Sequence, residues 1–334
     1  MEHPPIIEMD SFVSGSKGNR KLKENAVASL DEACRNTGFF YVKSPTIDDK
    51  SIQQAIESVK DFFLLSEDIK ETATATKSKL FRGYQGVGSP SHSCAPNNKY
   101  KIKDVKESFV IGATGNASFM HGENQWPHKC PISVKQNLEN YWEMMMELTR
   151  EVVQCLALAL GLEEKFFLKE MTDPIAQMVC LKYPAKSLSM AAYEGGNGVT
   201  GCGAHTDCGF LTLLIQEKDS SPLQIRNTNG DWIDAPQLEG CVLCNLGDMA
   251  ERWSNKYYRS SWHRVNTSNK ERHSIPFFCN LNYDAIVDPA LSVCQGELKN
   301  HVGPAKFPSV LAGDYICEKL NLMYKSKGEN NERK

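Results

Sequence analysis

The chain has 334 residues, of which 41% are hydrophobic and 24% charged, with a formal net charge of −3. This composition is typical of a soluble globular protein, and the small negative charge gives no electrostatic indication of nucleic-acid binding. No apolar run is long enough to cross a membrane, and the start, MEHPPIIEMDSF, lacks the features of a secretory signal. We therefore expect a cytoplasmic protein that binds neither nucleic acid nor membranes.

The N-terminal part of the chain is mainly helical in pattern. LKENAVASLDEACRN predicts a helix that ends before Gly38, and residues 39–42 predict a strand after it. Residues 51–65 predict a second, amphipathic helix. Residues 81–130 are less regular and rich in Gly, Ser, Pro and Asn, which is typical of surface loops or of the variable wall of a site.

The longest predicted helix covers residues 135–162. Its apolar residues recur at intervals of three and four, and Gly161 is placed to cap its C-terminal end. Met144 and Met146 belong to this stripe, where methionine is usually a core residue.

From about residue 175 the pattern changes to short strands separated by turns, such as IAQMVCLKYP, GFLTLLIQ and LQIRNTNGDWIDA. Many short strands at regular spacing indicate a sandwich or a barrel. The whole chain predicts one structural unit in three parts. A helical region at 1–170 packs on a β-rich core at 171–324, and a polar tail at 325–334 is disordered.

The twelve cysteines are spread along the chain without the spacing of a disulfide framework. In a chain of this length, such cysteines are typical of reduced thiols in an intracellular protein. Cys241 and Cys244 form a C-x-x-C pair within GCVLCNLGD. Because no second pair lies nearby, we interpret this segment as a buried strand rather than as a zinc or redox site.

The segment GCGAHTDCGFLTLL contains the most informative pair of polar residues. His205 and Asp207 lie two apart, so in a strand both would point to the same face. They are either ordinary polar residues at the start of a strand or part of a metal site. A metal site needs a third ligand, and among the eight histidines His263 is best placed to supply it, in a distant β-rich stretch. Two imidazoles and one carboxylate form the facial triad of non-haem Fe(II) oxygenases.

A second pair follows nine residues after His263. Arg272 and Ser274 in RHSIPFF would lie on one face of a strand. A guanidinium beside a hydroxyl is suited to a carboxylate ligand. The alternative is a surface arginine on a hairpin, because the neighbouring residues are polar.

Several consecutive motifs resemble those of the Fe(II)- and 2-oxoglutarate-dependent dioxygenases of the isopenicillin-N-synthase-like branch. The N-terminal ones are PPIIEMDSF, ACRNTGFFYV, FRGYQGVG, DVKESFVIG and NQWP. The C-terminal ones are GAHTDCGFLTLL, GDWIDAP, NLGDMAERWSNKYYRSSWHRVNTS, RHSIPFF and AGDY. They follow the family's order over residues 4–324, and such a series is far more specific than any single motif.

The resemblance implies a mainly β fold with flanking helices, built on a distorted double-stranded β-helix of the jelly-roll, cupin-like kind. It implies Fe(II) and 2-oxoglutarate as cofactor and cosubstrate, O2 as oxidant, and ascorbate as a candidate reductant. The expected enzyme is monomeric and oxidises a small metabolite of specialised metabolism. It would do so by hydroxylation, desaturation or oxidative ring closure, with release of succinate and CO2.

By the same resemblance, the iron ligands are His205, Asp207 and His263, and Arg272 and Ser274 hold the distal carboxylate of 2-oxoglutarate together with Tyr183. No catalytic residue is expected beyond the metal centre. The candidate substrate-binding residues, from the irregular stretch and the last core strand, are Arg82, Tyr84, His92, Lys99, Phe119, His121, Phe278 and Asn280. The chain departs from the family in having Cys208 where an aromatic residue is common and Leu181 where asparagine is common.

Two other functions fit the same residues. An oxidase like isopenicillin N synthase would use Fe(II) and O2 without 2-oxoglutarate, and Arg272 would then bind a carboxylate of the substrate itself. A non-catalytic jelly-roll protein would bind metal only, although open coordination positions would serve it little.

Overall fold

The computed structural model describes residues 3–15, 19–78, 80, 82–87, 103–185, 199–290, 292–293 and 298–328. The strands are β1 (Ile6–Glu8), β2 (Phe39–Lys43), β3 (Gly83–Gln85), β4 (Lys103–Asp104), β5 (Glu107–Gly112), β6 (Pro174–Tyr183), β7 (Val199–Thr200), β8 (Cys202–His205), β9 (Leu211–Gln216), β10 (Leu223–Arg226), β11 (Trp232–Ala235), β12 (Cys241–Leu246), β13 (His263–Val265), β14 (Arg272–Asn282), β15 (Ile286–Val287) and β16 (Val310–Leu311). The helices are α1 (Arg20–Asn36), α2 (Asp49–Phe63), α3 (Glu67–Lys70), α4 (Ile132–Ala159), α5 (Phe166–Lys169), α6 (Asp248–Trp253), α7 (Lys299–Val302) and α8 (Ala312–Gly328), with 3-10 turns at Glu71–Ala73 and Ala75–Lys77.

Two sheets form the centre of the molecule. The major sheet has the order β1-β2-β12-β9-β14-β6-β5-β3, and the minor sheet has the order β11-β10-β13-β8. Neighbouring strands are antiparallel except for β1 and β2, which are parallel. Buried residues of both sheets, such as Tyr41 and Leu243 from the major sheet and Ile225 and Val265 from the minor one, form a shared core. This is the predicted jelly roll.

Alternate residues of the major sheet face a second core, as the two-residue period of a strand requires. Phe40 and Val42 pack with the long helices, whereas Tyr41 between them faces the minor sheet. Most of the predicted apolar stripe of α4 is buried in this helix-side core, with Tyr141 and Met145 each 0% exposed, whereas Met144 and Met146 are partly buried. One face of the major sheet is therefore covered by α1, α2 and α4, and the other face is left to form a pocket with the minor sheet.

Most predicted elements lie within a few residues of their observed positions. The predicted cap is confirmed, because Gly161 follows α4 with a φ of +65°. Cys241 and Cys244 lie in the buried strand β12, as expected, and are free thiols. The tail prediction needs correction, since α8 continues to Gly328. Residues 329–334 lie outside the described part of the chain.

The boundary predicted at residue 170 stays a prediction. Strands from both sides of it share the major sheet, because β1, β2, β3 and β5 precede it and β6, β9, β12 and β14 follow it. Among the helices of the described ranges, none is long and apolar enough to cross a membrane.

Candidate metal centre and cosubstrate pocket

Two short strands of the minor sheet bring the predicted metal ligands together. His205 is the last residue of β8, and His263 is the first residue of β13. The two strands are antiparallel, and the two histidines lie directly opposite each other. Asp207 follows β8 by two residues, in the turn that leads to β9. A separation of 58 positions in the sequence is thus closed by the pairing of β8 with β13.

The ligand atoms of the three side chains converge. Asp207 Oδ1 lies 3.6 Å from His263 Nε2 and 3.8 Å from His205 Nε2. One ligand atom from each residue lies within 4.8 Å of the others, and in the described residues no other group of three or more His, Cys, Asp or Glu side chains does this. The arrangement is suited to a divalent metal that keeps open coordination positions.

Both imidazoles are held in the tautomer that a metal ligand requires. His205 Nδ1 lies 2.7 Å from the carbonyl oxygen of Gly203, and His263 Nδ1 lies 3.1 Å from that of Ser261. A carbonyl oxygen can only accept a hydrogen bond, so Nδ1 carries the proton in each ring. The lone pair of Nε2 is therefore available on the side that faces Asp207.

The Asp207 carboxylate is buried but well supplied with donors. Its Oδ2 accepts hydrogen bonds from Thr212 Oγ1 and Asn245 Nδ2, both at 2.7 Å. Burial by itself would raise the pKa of Asp207, but positive charge on the imidazole side, carried by the rings or by a bound metal, and the hydrogen bond from Asn245 hold that pKa well below its usual range. The carboxylate is therefore ionised, as a metal ligand must be.

The backbone around Asp207 is fixed from the opposite segment of the chain. Asp248 N donates to Asp207 O at 2.7 Å, and Met249 N donates to Gly209 O at 3.0 Å. This contact requires a glycine at position 247, because a Cβ there would lie 2.2 Å from Gly209 O and 2.8 Å from Asp207 O.

Arg272 lies in the same pocket as the three metal-binding candidates. It is the first residue of β14 and is 2% exposed. Its Nη1 donates to Ser274 Oγ at 3.2 Å and its Nη2 to Gln216 Oε1 at 2.8 Å. Its guanidinium carbon lies 4.9 Å from the centre of the Tyr183 ring. The predicted Arg272, Ser274 and Tyr183 are thus brought together.

The Arg272 side chain retains an unused donor. Its Nε is buried and has no hydrogen-bond partner in the described part of the chain, and no described carboxylate forms an ion pair with it. Burial lowers the pKa of the guanidinium, and the neighbouring Tyr183 offsets part of this effect. A buried cation without an anionic partner is costly, so the site fits an incoming carboxylate.

The pocket lies between the two sheets and is mostly apolar. Its polar and charged side chains beyond those already described are Lys106, Gln177 and Asn280. The apolar lining residues include Met120, Ile175, Val179, Leu181, Leu214, Leu223, Val265, Pro276, Phe278, Ile316 and Leu320. Ile316 and Leu320 come from α8, so the C-terminal helix forms one wall.

Of the predicted substrate residues, only Phe278 and Asn280 are found among the pocket-lining residues of the described chain. His92 and Lys99 lie outside the described residues. The other four, Arg82, Tyr84, Phe119 and His121, are not among the lining residues of the described chain, and their substrate role stays a prediction that the pocket does not support.

Arg82 and Tyr84 have structural partners instead. Arg82 is 1% exposed and donates to the carbonyl oxygens of Ala113, Met120 and Gly122. The Tyr84 hydroxyl donates to Glu107 at 2.7 Å. The Nη groups of Arg82 and the hydroxyl of Tyr84 are therefore already used inside the protein, and only Arg82 Nε lacks a partner among the described residues.

Phe119 and His121 flank the pocket residue Met120 but do not line the pocket themselves. Phe119 is 63% exposed and packs on Tyr283 with ring centres 5.1 Å apart. His121 is buried, and its Nδ1 lies 2.9 Å from Ser118 Oγ.

Sequence reasoning missed the polar residues that support the site. Thr212 and Gln216 are the two polar residues of the otherwise apolar strand β9, and Asn245 interrupts the apolar run of β12. A polar residue at a buried strand position is a signal for such a role, because it needs a hydrogen-bonding partner.

A jelly roll that holds two imidazoles, a carboxylate and a buried arginine in one pocket defines a non-haem iron enzyme. Comparison with known proteins gives the particular family. A family model described as "2OG-Fe(II) oxygenase superfamily" matches residues 175–281. A second, described as "non-haem dioxygenase in morphine synthesis N-terminal", matches residues 4–129.

Similar proteins with named activities match almost the whole chain. Homoarginine-6-hydroxylase 2-ODD-233 of Oryza sativa subsp. japonica is 37% identical over 323 residues, which is 95% of this chain and 96% of the relative. Homoarginine-6-hydroxylase 2-ODD-C23.1 of Arabidopsis thaliana is 35% identical and covers 89% of both chains. Among solved structures, a full-length Neurospora crassa protein in complex with alpha-KG has a TM-score of 0.78 at 26% identity, covering 95% of this chain and 96% of that protein.

The chain belongs to the 2OG-Fe(II) oxygenase superfamily. It is a 2-oxoglutarate-dependent dioxygenase that uses Fe(II) and O2, with the double-stranded β-helix fold of its structural neighbours. The comparisons support this activity over an oxidase that does without 2-oxoglutarate and over a non-catalytic metal-binding protein.

Proposed function

We propose that His205, Asp207 and His263 hold the Fe(II), and that Arg272, Ser274 and Tyr183 hold the distal carboxylate of 2-oxoglutarate. The observation that carries this proposal is that the three ligand atoms converge in one pocket with the buried guanidinium of Arg272. The Nε of that guanidinium has no hydrogen-bond partner among the described residues. When bound, Fe(II) would provide the reactivity towards O2 on which the oxidation depends. The protein supplies the orientation of both cosubstrate and substrate, and the apolar walls keep water out.

The substrate is a small molecule that the enzyme hydroxylates. Hydroxylation is favoured over desaturation and ring closure because relatives that cover 85% to 95% of the chain are named as hydroxylases. The reacting carbon would lie near the metal centre, with Phe278 and Asn280 on the wall beside it.

Asn280 is the polar group suited to orient that substrate. Its Oδ1 accepts from Phe210 N at 3.0 Å, which sets the orientation of the amide. Its Nδ2 then has no acceptor in the described residues and can donate to a substrate oxygen. The surrounding apolar residues Met120, Ile316 and Leu320 would contact a hydrocarbon part of the same molecule.

We further propose that the enzyme acts as a cytoplasmic monomer in specialised metabolism. Ascorbate would serve as a reductant that keeps the iron in the Fe(II) state.

The site assignment is tested by adding 2-oxoglutarate to the anaerobic Fe(II) protein and recording the visible charge-transfer band of the chelated oxo acid. We expect the band in the wild-type protein and a loss of the band in Arg272→Ala at the same 2-oxoglutarate concentration. Iron binding without the band in the wild-type protein would contradict the cosubstrate site.

The substrate is then sought by measuring succinate formation with a panel of small molecules. The panel includes L-homoarginine and thymine, the compounds that the names of similar proteins and a bound ligand suggest. A substrate increases succinate formation and gains one oxygen atom by mass spectrometry. A product that instead loses two hydrogens would show desaturation or ring closure.

A further inference from the structure

The two oxygens of the Asp207 carboxylate have different surroundings. Oδ1 faces the two imidazole Nε2 atoms, whereas Oδ2 accepts two hydrogen bonds at 2.7 Å. We infer that Thr212 and Asn245 form a carboxylate clamp, which occupies Oδ2 and presents Oδ1 alone to the metal. The inference rests on the proposed assignment of Asp207 as an iron ligand.

The clamp is built into the major sheet. Thr212 on β9 and Asn245 on β12 are directly paired across the two strands. They are 5% and 3% exposed, and both contribute to the pocket wall. Because their backbones are fixed by the sheet, the Oγ1 and Nδ2 donors meet at one point without a loop having to become ordered.

The clamp acts on a residue whose backbone is also held by the segment after β12. Asp248 N donates to Asp207 O at 2.7 Å, only three positions after Asn245. One short stretch therefore holds both the main chain and, through Asn245, the carboxylate of Asp207. The rotation of the carboxylate about its bond to Cβ is thereby fixed.

The consequence for metal binding is a defined number of ligands. An oxygen that accepts two strong hydrogen bonds is directed away from the metal, so Asp207 can ligate through Oδ1 only. With His205 and His263 the protein then supplies three ligand atoms, and the remaining positions stay open for 2-oxoglutarate and for O2. A carboxylate free to rotate would hold Oδ1 less firmly towards the metal, and the metal would bind more weakly.

The test uses Co(II) as the probe and measures its dissociation constant by competition with a chelator. Thr212→Val and Asn245→Leu each remove one donor at similar volume. We expect each to raise the Co(II) dissociation constant by about 10- to 100-fold, as loss of a hydrogen bond to a metal ligand typically does. The matched control, Thr212→Ser, keeps the hydroxyl and should retain an affinity close to that of the wild-type protein.

The thermal unfolding of the metal-free variants separates positioning from simple stability. If both variants unfold earlier but bind Co(II) as the wild-type protein does, the clamp inference is wrong. If Asn245→Leu does not fold, the clamp is tested by the Co(II) dissociation constants of Thr212→Val and Thr212→Ser alone. Asp207→Ala tests the underlying assignment separately, since unchanged Co(II) binding in that variant would remove Asp207 from the metal site.

Discussion

Arg272 and Tyr183 lie directly opposite each other on β14 and β6, with the guanidinium carbon 4.9 Å from the centre of the phenol ring. The ring packs against one face of the guanidinium, while Ser274 and Gln216 accept hydrogen bonds at its edge. The plane of the guanidinium is therefore fixed before any ligand arrives. Such preorganisation reduces the entropy that is lost on binding.

Replacement of Arg272 tests this site most directly. Arg272→Lys keeps a cation but loses the planar fork and the stacking on Tyr183. We expect the dissociation constant of 2-oxoglutarate to rise by about 10- to 100-fold, since a hydrogen bond to a charged group contributes ~1.5–3 kcal/mol. The charge-transfer titration measures this value. Arg264→Lys is the control, because Arg264 stacks on Trp232 and does not line the pocket; an equal effect there would contradict the assignment.

Gln216 positions Arg272 and also supports the minor sheet. Its Oε1 accepts from Arg272 Nη2 and from Leu223 N, and its Nε2 donates to Ala235 O. Gln216→Leu leaves these buried groups unpaired, so we expect both a loss of ~1–3 kcal/mol of stability and about 10-fold weaker 2-oxoglutarate binding. Chemical denaturation and the charge-transfer titration measure the two effects. Wild-type affinity for 2-oxoglutarate in a destabilised variant would limit Gln216 to a structural role.

Removal of a histidine ligand should abolish metal binding without unfolding the protein. His263→Ala removes one of three ligand atoms, and we expect stoichiometric Fe(II) binding to be lost at micromolar protein concentration. Equilibrium dialysis followed by iron analysis provides the measurement. His301→Ala is the control, since His301 is exposed on α7 and is not a member of the cluster. Retention of iron by the His263 variant would disprove its role as a ligand.

The structural role assigned to Tyr84 predicts a pH-dependent effect on stability. Burial alone would raise the pKa of Glu107, but Lys70 and Tyr84 outweigh it and hold that pKa below its ordinary value of 4.5. The interaction therefore stabilises the fold fully above pH 4.5 and is lost as the pH falls through the lower folded-state pKa.

Tyr84→Phe removes one of these donors. We expect a loss of ~1 kcal/mol near neutral pH that diminishes as the pH falls below 4.5, with no change in 2-oxoglutarate affinity. Denaturant unfolding at several pH values provides the measurement. A stability difference that grows at low pH would contradict the proposed interaction with Glu107. A changed KM for the substrate would support Tyr84 as a substrate-binding residue.

The candidate site was predictable because its chemistry depends on a few residues at short spacing. His205 and Asp207, and likewise Arg272 and Ser274, are two residues apart, and the period of a strand places each pair near one face. His263 was found only because a facial triad needs a third ligand. The stripe of α4 was predictable for a similar reason, since the helical period is visible within a single segment.

The substrate wall and the supporting residues could not be predicted in this way. Arg82 and Tyr84 are polar residues in a stretch suited to a site, yet Arg82 donates to backbone carbonyl groups and Tyr84 donates to Glu107. Thr212 and Asn245 are 33 positions apart and meet only because β9 pairs with β12.

The sequence by itself therefore determined the candidate metal ligands and the candidate carboxylate-binding arginine, because local periodicity and residue chemistry carry that information. The class of enzyme was indicated by the resemblance of its ordered motifs to a known family. Only the tertiary structure decided which polar groups reach the pocket and which are satisfied elsewhere. Those contacts depend on which distant strands pair and in which register. The pattern of a single segment does not reveal either.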